Sequence, residues 1–156
     1  MTLSFTVNGK AVTLDPAPDR PLLTALREDL GLKSARFGCG AESCGACTVL
    51  VDGEPRFACT LPLSEIEGRD IATAEGLEGP EGDHPLLEAM LAHQAAQCGY
   101  CLPGILMRAR AYLDGGGPAD RAAIAEMLDA NLCRCGAHPR ILDAVMDAAR
   151  RMGTAT

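Results

Sequence analysis

The sequence predicts an α+β chain in two parts, a small roll of five short β pieces and one helix followed by an antiparallel four-helix bundle. Three observations predict it. Apolar residues alternate with polar ones in the first half and recur with a period of about 3.6 in the second. A stretch rich in Gly, Pro and acidic residues, Glu75 to Pro85, lies between the two patterns, as a linker does. Eight cysteines divide evenly, four before that stretch and four after it.

Leu3, Phe5 and Val7 alternate with polar residues, Asn8-Gly9 is a type I′ turn signal, and Val12 and Leu14 resume the alternation, so residues 3–15 are expected to form a hairpin. Pro21 opens an amphipathic helix through Leu30, with Leu22, Leu23, Leu26 and Leu30 at helical spacing and Gly31 at its end. Thr48 to Val51 reads as a strand before an Asp52-Gly53 turn, and Asp70 to Thr73 as a closing strand. The expected division is a first domain over 1–76, a linker over 77–84 and a helical domain over 85–156. The four helical faces are Leu86, Leu87, Met90 and Leu91; Leu102, Ile105, Leu106, Ala109, Tyr112 and Leu113; Ile124, Met127, Leu128 and Leu132; and, after Pro139, Ile141, Leu142, Val145, Met146, Ala149 and Met152. Short connections favour an antiparallel bundle.

Composition narrows the function. A chain of 156 residues divided into two lobes has thin cores and no room for a large catalytic pocket. With no Trp, two Tyr and three Phe, the fold needs metal or disulfide support. A net charge of −7 without a basic stripe argues against nucleic-acid binding, where phosphates demand clustered Lys and Arg. No apolar run approaches the roughly 18–20 residues that span a bilayer, and Met1 to Lys10 alternates instead of resembling a signal peptide. The chain by itself reads as soluble and cytoplasmic, although a folded subunit can be exported with a partner. In a reducing compartment clustered cysteines more often bind metal than pair as disulfides.

Cys39, Cys44, Cys47 and Cys59 follow C-x4-C-x2-C with a fourth cysteine twelve residues on, which matches the plant-type ferredoxin spacing for a [2Fe–2S] cluster. A tight loop can present three thiolates to one side of an Fe2S2 rhomb only if it folds back on itself, and Gly38, Gly40 and Gly45 allow that. Backbone N–H groups turned toward the sulfurs would stabilise their charge. The strand-turn-strand unit of residues 48–58 returns the chain to Cys59. Zinc prefers paired C-x2-4-C knuckles, and Cys59 has no knuckle partner. The second set, Cys98-x2-Cys101 and Cys133-x-Cys135, falls at two helix boundaries that a bundle brings to one end. By spacing it suits either a cluster or structural zinc, and the Cys-x-Cys pair, awkward for a zinc knuckle, favours the cluster.

The segments Gly38-Cys39-Gly40, Cys44-Gly45-Ala46-Cys47-Thr48-Val49, Gln97-Cys98-Gly99-Tyr100-Cys101-x-Pro103-Gly104 and Asn131-Leu132-Cys133-Arg134-Cys135 together resemble the small iron–sulfur subunit of the molybdenum hydroxylases, the xanthine dehydrogenase family. The resemblance covers nearly the whole chain, in order. It implies a plant-ferredoxin-like β-grasp domain and a four-helix bundle, each with one [2Fe–2S] cluster, and a large partner subunit that holds a molybdopterin-type molybdenum cofactor. It further implies that the bundle cluster lies nearer that cofactor, that the other passes electrons outward, and that Gln97 and the loop around Cys135 touch the pterin. Two departures stand out: Leu102, where Thr is frequent in the family, and Gly136-Ala137-His138, where Thr-Gly-Tyr is frequent; the latter form looks like the isoquinoline, nicotinate and aldehyde oxidoreductase branch, which acts on N-heterocycles or aldehydes. The electron acceptor is then either a flavin subunit or a cytochrome.

The chain itself is expected to be non-catalytic. It has no Ser-His-Asp, paired-carboxylate or phosphate-loop pattern, and Gly115-Gly116-Gly117 lacks the P-loop lysine. A free two-cluster ferredoxin and a zinc protein without redox role are the competing readings. His138 reads as a helix-start neighbour, His84 and His93 as linker and helix-surface residues, and the methionines as core.

Overall fold

The computed structural model describes residues 2–80 and 82–153; position 81 of the expected linker and the outermost ends of both expected domains lie outside them. The hairpin forms as its turn residues dictate. β1 (Leu3–Val7) pairs antiparallel with β2 (Lys10–Leu14) in the register Leu3 to Leu14, and Asn8 and Gly9 both take the positive φ of a type I′ turn. β3 (Thr48–Val51) and β4 (Glu54–Phe57) form a second hairpin across Asp52-Gly53. β5 (Asp70–Ala72) lies between them, parallel to β1 and antiparallel to β3, which gives the mixed order β2-β1-β5-β3-β4.

The helix after Pro21 starts as α1 (Leu22–Thr24) and widens into a π-helical turn over Ala25–Asp29, where Leu30 N–H reaches back to the Ala25 carbonyl. Its Leu22, Leu23 and Leu26 are buried against Leu3, Phe5, Val7, Val49 and Ile71 of the sheet. The first two N–H groups of the helix have no partner within it. They donate instead to the Leu61 and Ala58 carbonyls at 2.8 and 2.9 Å, which fixes the segment that carries Cys59.

The second half contains α2 (Pro85–Ala92), α3 (Leu102–Asp114), α4 (Arg121–Met127) and α5 (His138–Arg151) around one core of Leu86, Ile105, Leu113, Ile124, Ile141 and Val145. With α1 the described residues hold five helices, so α+β describes the chain. None of them is long and apolar enough to cross a membrane.

Three expected positions differ. Leu91 is exposed, because it stands on the outward side of α2, whose Leu86, Ala89 and Met90 are buried and whose Leu87 packs partly against the core. Leu132 is exposed because α4 stops at Met127 and helical spacing no longer applies beyond it. Leu77, which composition assigns to the linker, is buried in the helical core after a 3-10 turn over Ala74–Leu77. Of the histidines, His84 caps α2 by accepting the Leu86 N–H at 3.1 Å, and His93 ends it beside Asp147.

The two halves share a seam. β3 is buried on both faces, with Val49 and Val51 in the sheet core and Leu50 on the opposite side, where α3 crosses the strand.

Candidate iron–sulfur centres

The loop before β3 holds three of the first four cysteines. Gly40 and Gly45 adopt positive φ, as the fold-back requires. Gly38 does not; its need is space, since a Cβ there would stand 2.6 Å from Cys44 Sγ. The turn also uses a left-handed non-glycine, Glu42, whose carboxylate accepts the Thr60 hydroxyl and so ties the loop to the Cys59 segment. No sequence signal marked it.

Backbone N–H groups converge on sulfur. Ala41 and Ser43 donate to Cys39 Sγ at 3.3 and 3.2 Å, and the Cys39 N–H donates to Cys44 Sγ at 3.3 Å. The N–H of Ala41 and then that of Ser43 lower the Cys39 pKa to about 7, so this exposed thiol readily becomes a thiolate. Cys47 lies deeper. Burial above all, with the Cys59 thiol beside it and Cys44 near, pushes its pKa up to about 12. A thiolate there is costly unless a cation compensates it. The Ala58 N–H donates to the Cys47 carbonyl at 3.2 Å and brings Cys59 alongside.

The second four cysteines meet at one end of the helices. Cys98 and Cys101 lie between α2 and α3, and Cys133 and Cys135 between α4 and α5. The sulfurs of Cys135 and Cys98 are 3.4 Å apart, and the Cys101 thiol lies within hydrogen-bonding reach of Cys133. Burial, followed by the Cys133 thiol, pushes the Cys101 pKa up to about 12. The Tyr100 N–H, followed by the Cys135 thiol, lowers that of Cys98. Burial opposes ionisation of Cys133, but N–H groups of Ala137, Cys135 and Gly136 and the Cys101 thiol outweigh it and lower its pKa. Gln97 is exposed and donates Nε2 to the Cys135 carbonyl at 3.0 Å.

Each quartet is therefore two pairs, Cys39 with Cys44 and Cys47 with Cys59, then Cys98 with Cys135 and Cys101 with Cys133. Among the described residues no three His, Cys, Asp or Glu side chains close around a single ion. Free thiols here stand where thiolates would bond to metal, and two pairs of thiols with N–H groups aimed at sulfur suit a two-iron rhomb that takes two thiolates on each iron.

Sequence reasoning missed the contacts that join the quartets across the seam. The Leu132 N–H donates to the Cys44 carbonyl at 2.9 Å, and Asn131 Nδ2 to the Gly45 carbonyl at 3.1 Å. Arg36 Nη1 donates to the Gly99 carbonyl at 2.6 Å, its guanidinium 5.1 Å from the centre of the Tyr100 ring, while Tyr100 Oη donates to the Phe37 carbonyl at 2.5 Å. A glycine inside a helical pattern, Gly104, was the one available signal of close approach.

Fold and site define a chain with two iron–sulfur domains. Residues 5–77 match the family model of a 2Fe-2S iron-sulfur cluster binding domain, and residues 73–146 that of a [2Fe-2S] binding domain. The chain is 47% identical over 148 residues to one of the subunits of nicotinate dehydrogenase from Pseudomonas putida, covering 95% of this chain and 94% of that one. It is 44% identical over 149 residues to the alpha subunit of isoquinoline 1-oxidoreductase of Brevundimonas diminuta, covering 95% and 97%. The crystal structure of an aldehyde oxidoreductase from Desulfovibrio desulfuricans superposes with a TM-score of 0.92 at 39% identity, over 97% of this chain and 17% of that much longer one. The chain belongs to the family of [2Fe–2S] iron–sulfur subunits of the molybdenum hydroxylases, in the nicotinate, isoquinoline and aldehyde oxidoreductase branch. It is an electron-transfer subunit of an oxidoreductase and not its catalytic part.

Proposed function

We propose that this chain accepts electrons singly from a molybdenum centre held by a large molybdopterin-binding subunit and delivers them to an external acceptor, a flavin subunit or a cytochrome. The observation that carries this reading is the arrangement of all eight cysteines as two quartets of paired thiols, one in each half of the chain. Cys39, Cys44, Cys47 and Cys59 hold the first [2Fe–2S] cluster, and Cys98, Cys101, Cys133 and Cys135 the second. Bound there, the clusters supply one-electron chemistry, so the subunit converts a two-electron oxidation into two single transfers. The chain's own part is to hold the thiolates, direct N–H groups at them and exclude water from Cys47 and Cys101.

The boundary is placed at a first domain over 1–76, a linker over 77–84 and a helical domain over 85–156, with α2 to α5 read as an antiparallel four-helix bundle. One core shared by those four helices supports this. The helical quartet faces the large subunit, with Gln97 and the Cys135 loop on the pterin. The hydrogen bond from Gln97 to the Cys135 carbonyl supports that assignment, because it puts an exposed amide beside an outlying cysteine. The substrate of the complex is an N-heterocycle or an aldehyde.

Native purification followed by metal analysis and mass spectrometry tests the reading. Co-purification with a molybdenum-containing large chain is expected. A stable two-cluster monomer without such a partner would mean a free ferredoxin instead.

A further inference from the structure

Two loops, each next to one cysteine quartet, are pressed together at the seam between the halves. Asn131 is 4% exposed and donates Nδ2 to the Gly45 carbonyl at 3.1 Å; one residue on, the Leu132 N–H donates to the Cys44 carbonyl at 2.9 Å. The approach leaves no room for side chains. A Cβ on Gly45 would stand 2.4 Å from both the Ala130 carbonyl oxygen and Asn131 Nδ2, and one on Gly104, in the first turn of α3, would stand 2.0 Å from the Gly45 oxygen. The loop at Cys44-Gly45 is thus held between α3 and residues 130–132.

Leu132 is bonded directly to Cys133. Only main-chain atoms, two Cβ atoms and the one hydrogen bond therefore separate Cys133 Sγ from Cys44 Sγ, along Cys133, Leu132 and the Cys44 carbonyl. Electron tunnelling decays least along covalent bonds and short hydrogen bonds and most across gaps. We propose that this seam is the route by which an electron crosses between the two quartets, and that Asn131 is a positioning residue that holds the Cys44-Gly45 loop against the Leu132 N–H. The inference rests on the reading that both quartets hold [2Fe–2S] clusters. In the crossing, the Cys98–Cys101–Cys133–Cys135 site is oxidised by one electron and the Cys39–Cys44–Cys47–Cys59 site reduced by one. The electron originates in the large subunit and leaves to the acceptor. No covalent bond forms or breaks, and Leu132 keeps its amide proton.

The other contacts across the seam run through long side chains. The bonds from Arg36 to Gly99 and from Tyr100 to Phe37 end on no cysteine, and Tyr100 is half exposed. Asn131 also leaves its Oδ1 buried without a hydrogen-bond partner, which is costly. A leucine would fill that volume without the penalty, so what the amide contributes is the N–H on Gly45.

The test uses the native complex carrying Asn131→Leu, Asn131→Ser, Gly104→Ala or Tyr100→Phe. Four quantities are followed: iron per chain, the spin–spin splitting in the EPR spectrum of the fully reduced protein, the rate at which one electron from a photochemical reductant equilibrates between the sites, and hydrogen exchange of the Leu132 amide. The two Asn131 variants and Gly104→Ala are expected to keep their iron, to equilibrate severalfold more slowly with altered splitting, and to lose protection at Leu132. Tyr100→Phe is expected to equilibrate like the parent. An unchanged rate in an iron-replete Asn131 or Gly104 variant overturns the proposal, as does equal slowing in Tyr100→Phe, which would make general docking of the halves the determinant. Loss of iron from all three seam variants also overturns it, since the seam would then retain the clusters instead of connecting them. Absence of iron from the unsubstituted chain would refute the cluster reading itself, a separate result.

Discussion

At the scale of the residue, the chain gives up side chains where sulfur needs the space. Gly38→Ala would place a Cβ 2.6 Å from Cys44 Sγ, and because the opposing atom is a held thiol the loop itself must shift. Its iron content is expected to fall to about half, with the loss confined to the N-terminal site; elemental analysis and visible absorption of the variant check this. The glycines and spacing of this loop were legible in the sequence because each obeys a local rule. Glu42 was not, since no local rule marks its left-handed φ and its carboxylate is bonded by Thr60, a residue distant in sequence. Glu75, within a stretch read as linker, shows the same blind spot. Burial opposes its ionisation, but the Ser34 and Thr73 hydroxyls and the Ser34 N–H bind the carboxylate and hold its pKa below the ordinary value. The carboxylate's contribution is therefore present above the unfolded-state pKa of glutamate and is lost as pH falls through the lower folded-state value. Glu75→Gln is expected to destabilise the chain by roughly 1–3 kcal/mol at neutral pH and to flatten the acid limb of its stability curve, as denaturant unfolding at several pH values would show. An unchanged acid limb would count against it.

At the scale of the element, period and turn chemistry were legible where an element is bounded by its own residues. Asn8-Gly9 fixed the first hairpin, Pro21 and Pro139 marked helix starts, and the change of period located the four later helices. Ends decided by tertiary contacts were not legible. The last residues assigned to two helical faces, Leu91 and Leu132, are exposed, Leu91 because it stands on the outward side of α2 and Leu132 because helical spacing continues on paper after the chain has left α4. This gives a paired prediction for α2. Leu86→Ala, which empties a fully buried position, is expected to cost about 2–5 kcal/mol. Leu91→Gln is expected to stay within about 0.5 kcal/mol of the parent. Chemical denaturation of the two variants side by side decides, and equal losses would contradict the face assigned to α2.

At the scale of the whole molecule, the sequence could show two cysteine sets but not their relation, because the contacts between them are made by backbone atoms and a buried Asn131 that no periodicity marks. Two thin cores are joined through β3 and α3, and the thiols gather at their edges, with Cys47 inside the first core and Cys59, Cys101 and Cys133 packed against one or the other. Desolvation holds the buried Cys47 and the partly buried Cys101 as thiols, so metal binding there would have to drive their ionisation, and removal of metal by a chelator should loosen both loops together with the seam. The most direct measurement is metal analysis of the natively purified chain combined with EPR of its reduced form. About four irons per chain, no stoichiometric zinc, and two distinguishable [2Fe–2S] signals are expected. A colourless chain holding zinc, or one with about two irons and a single signal, would contradict the two-cluster reading.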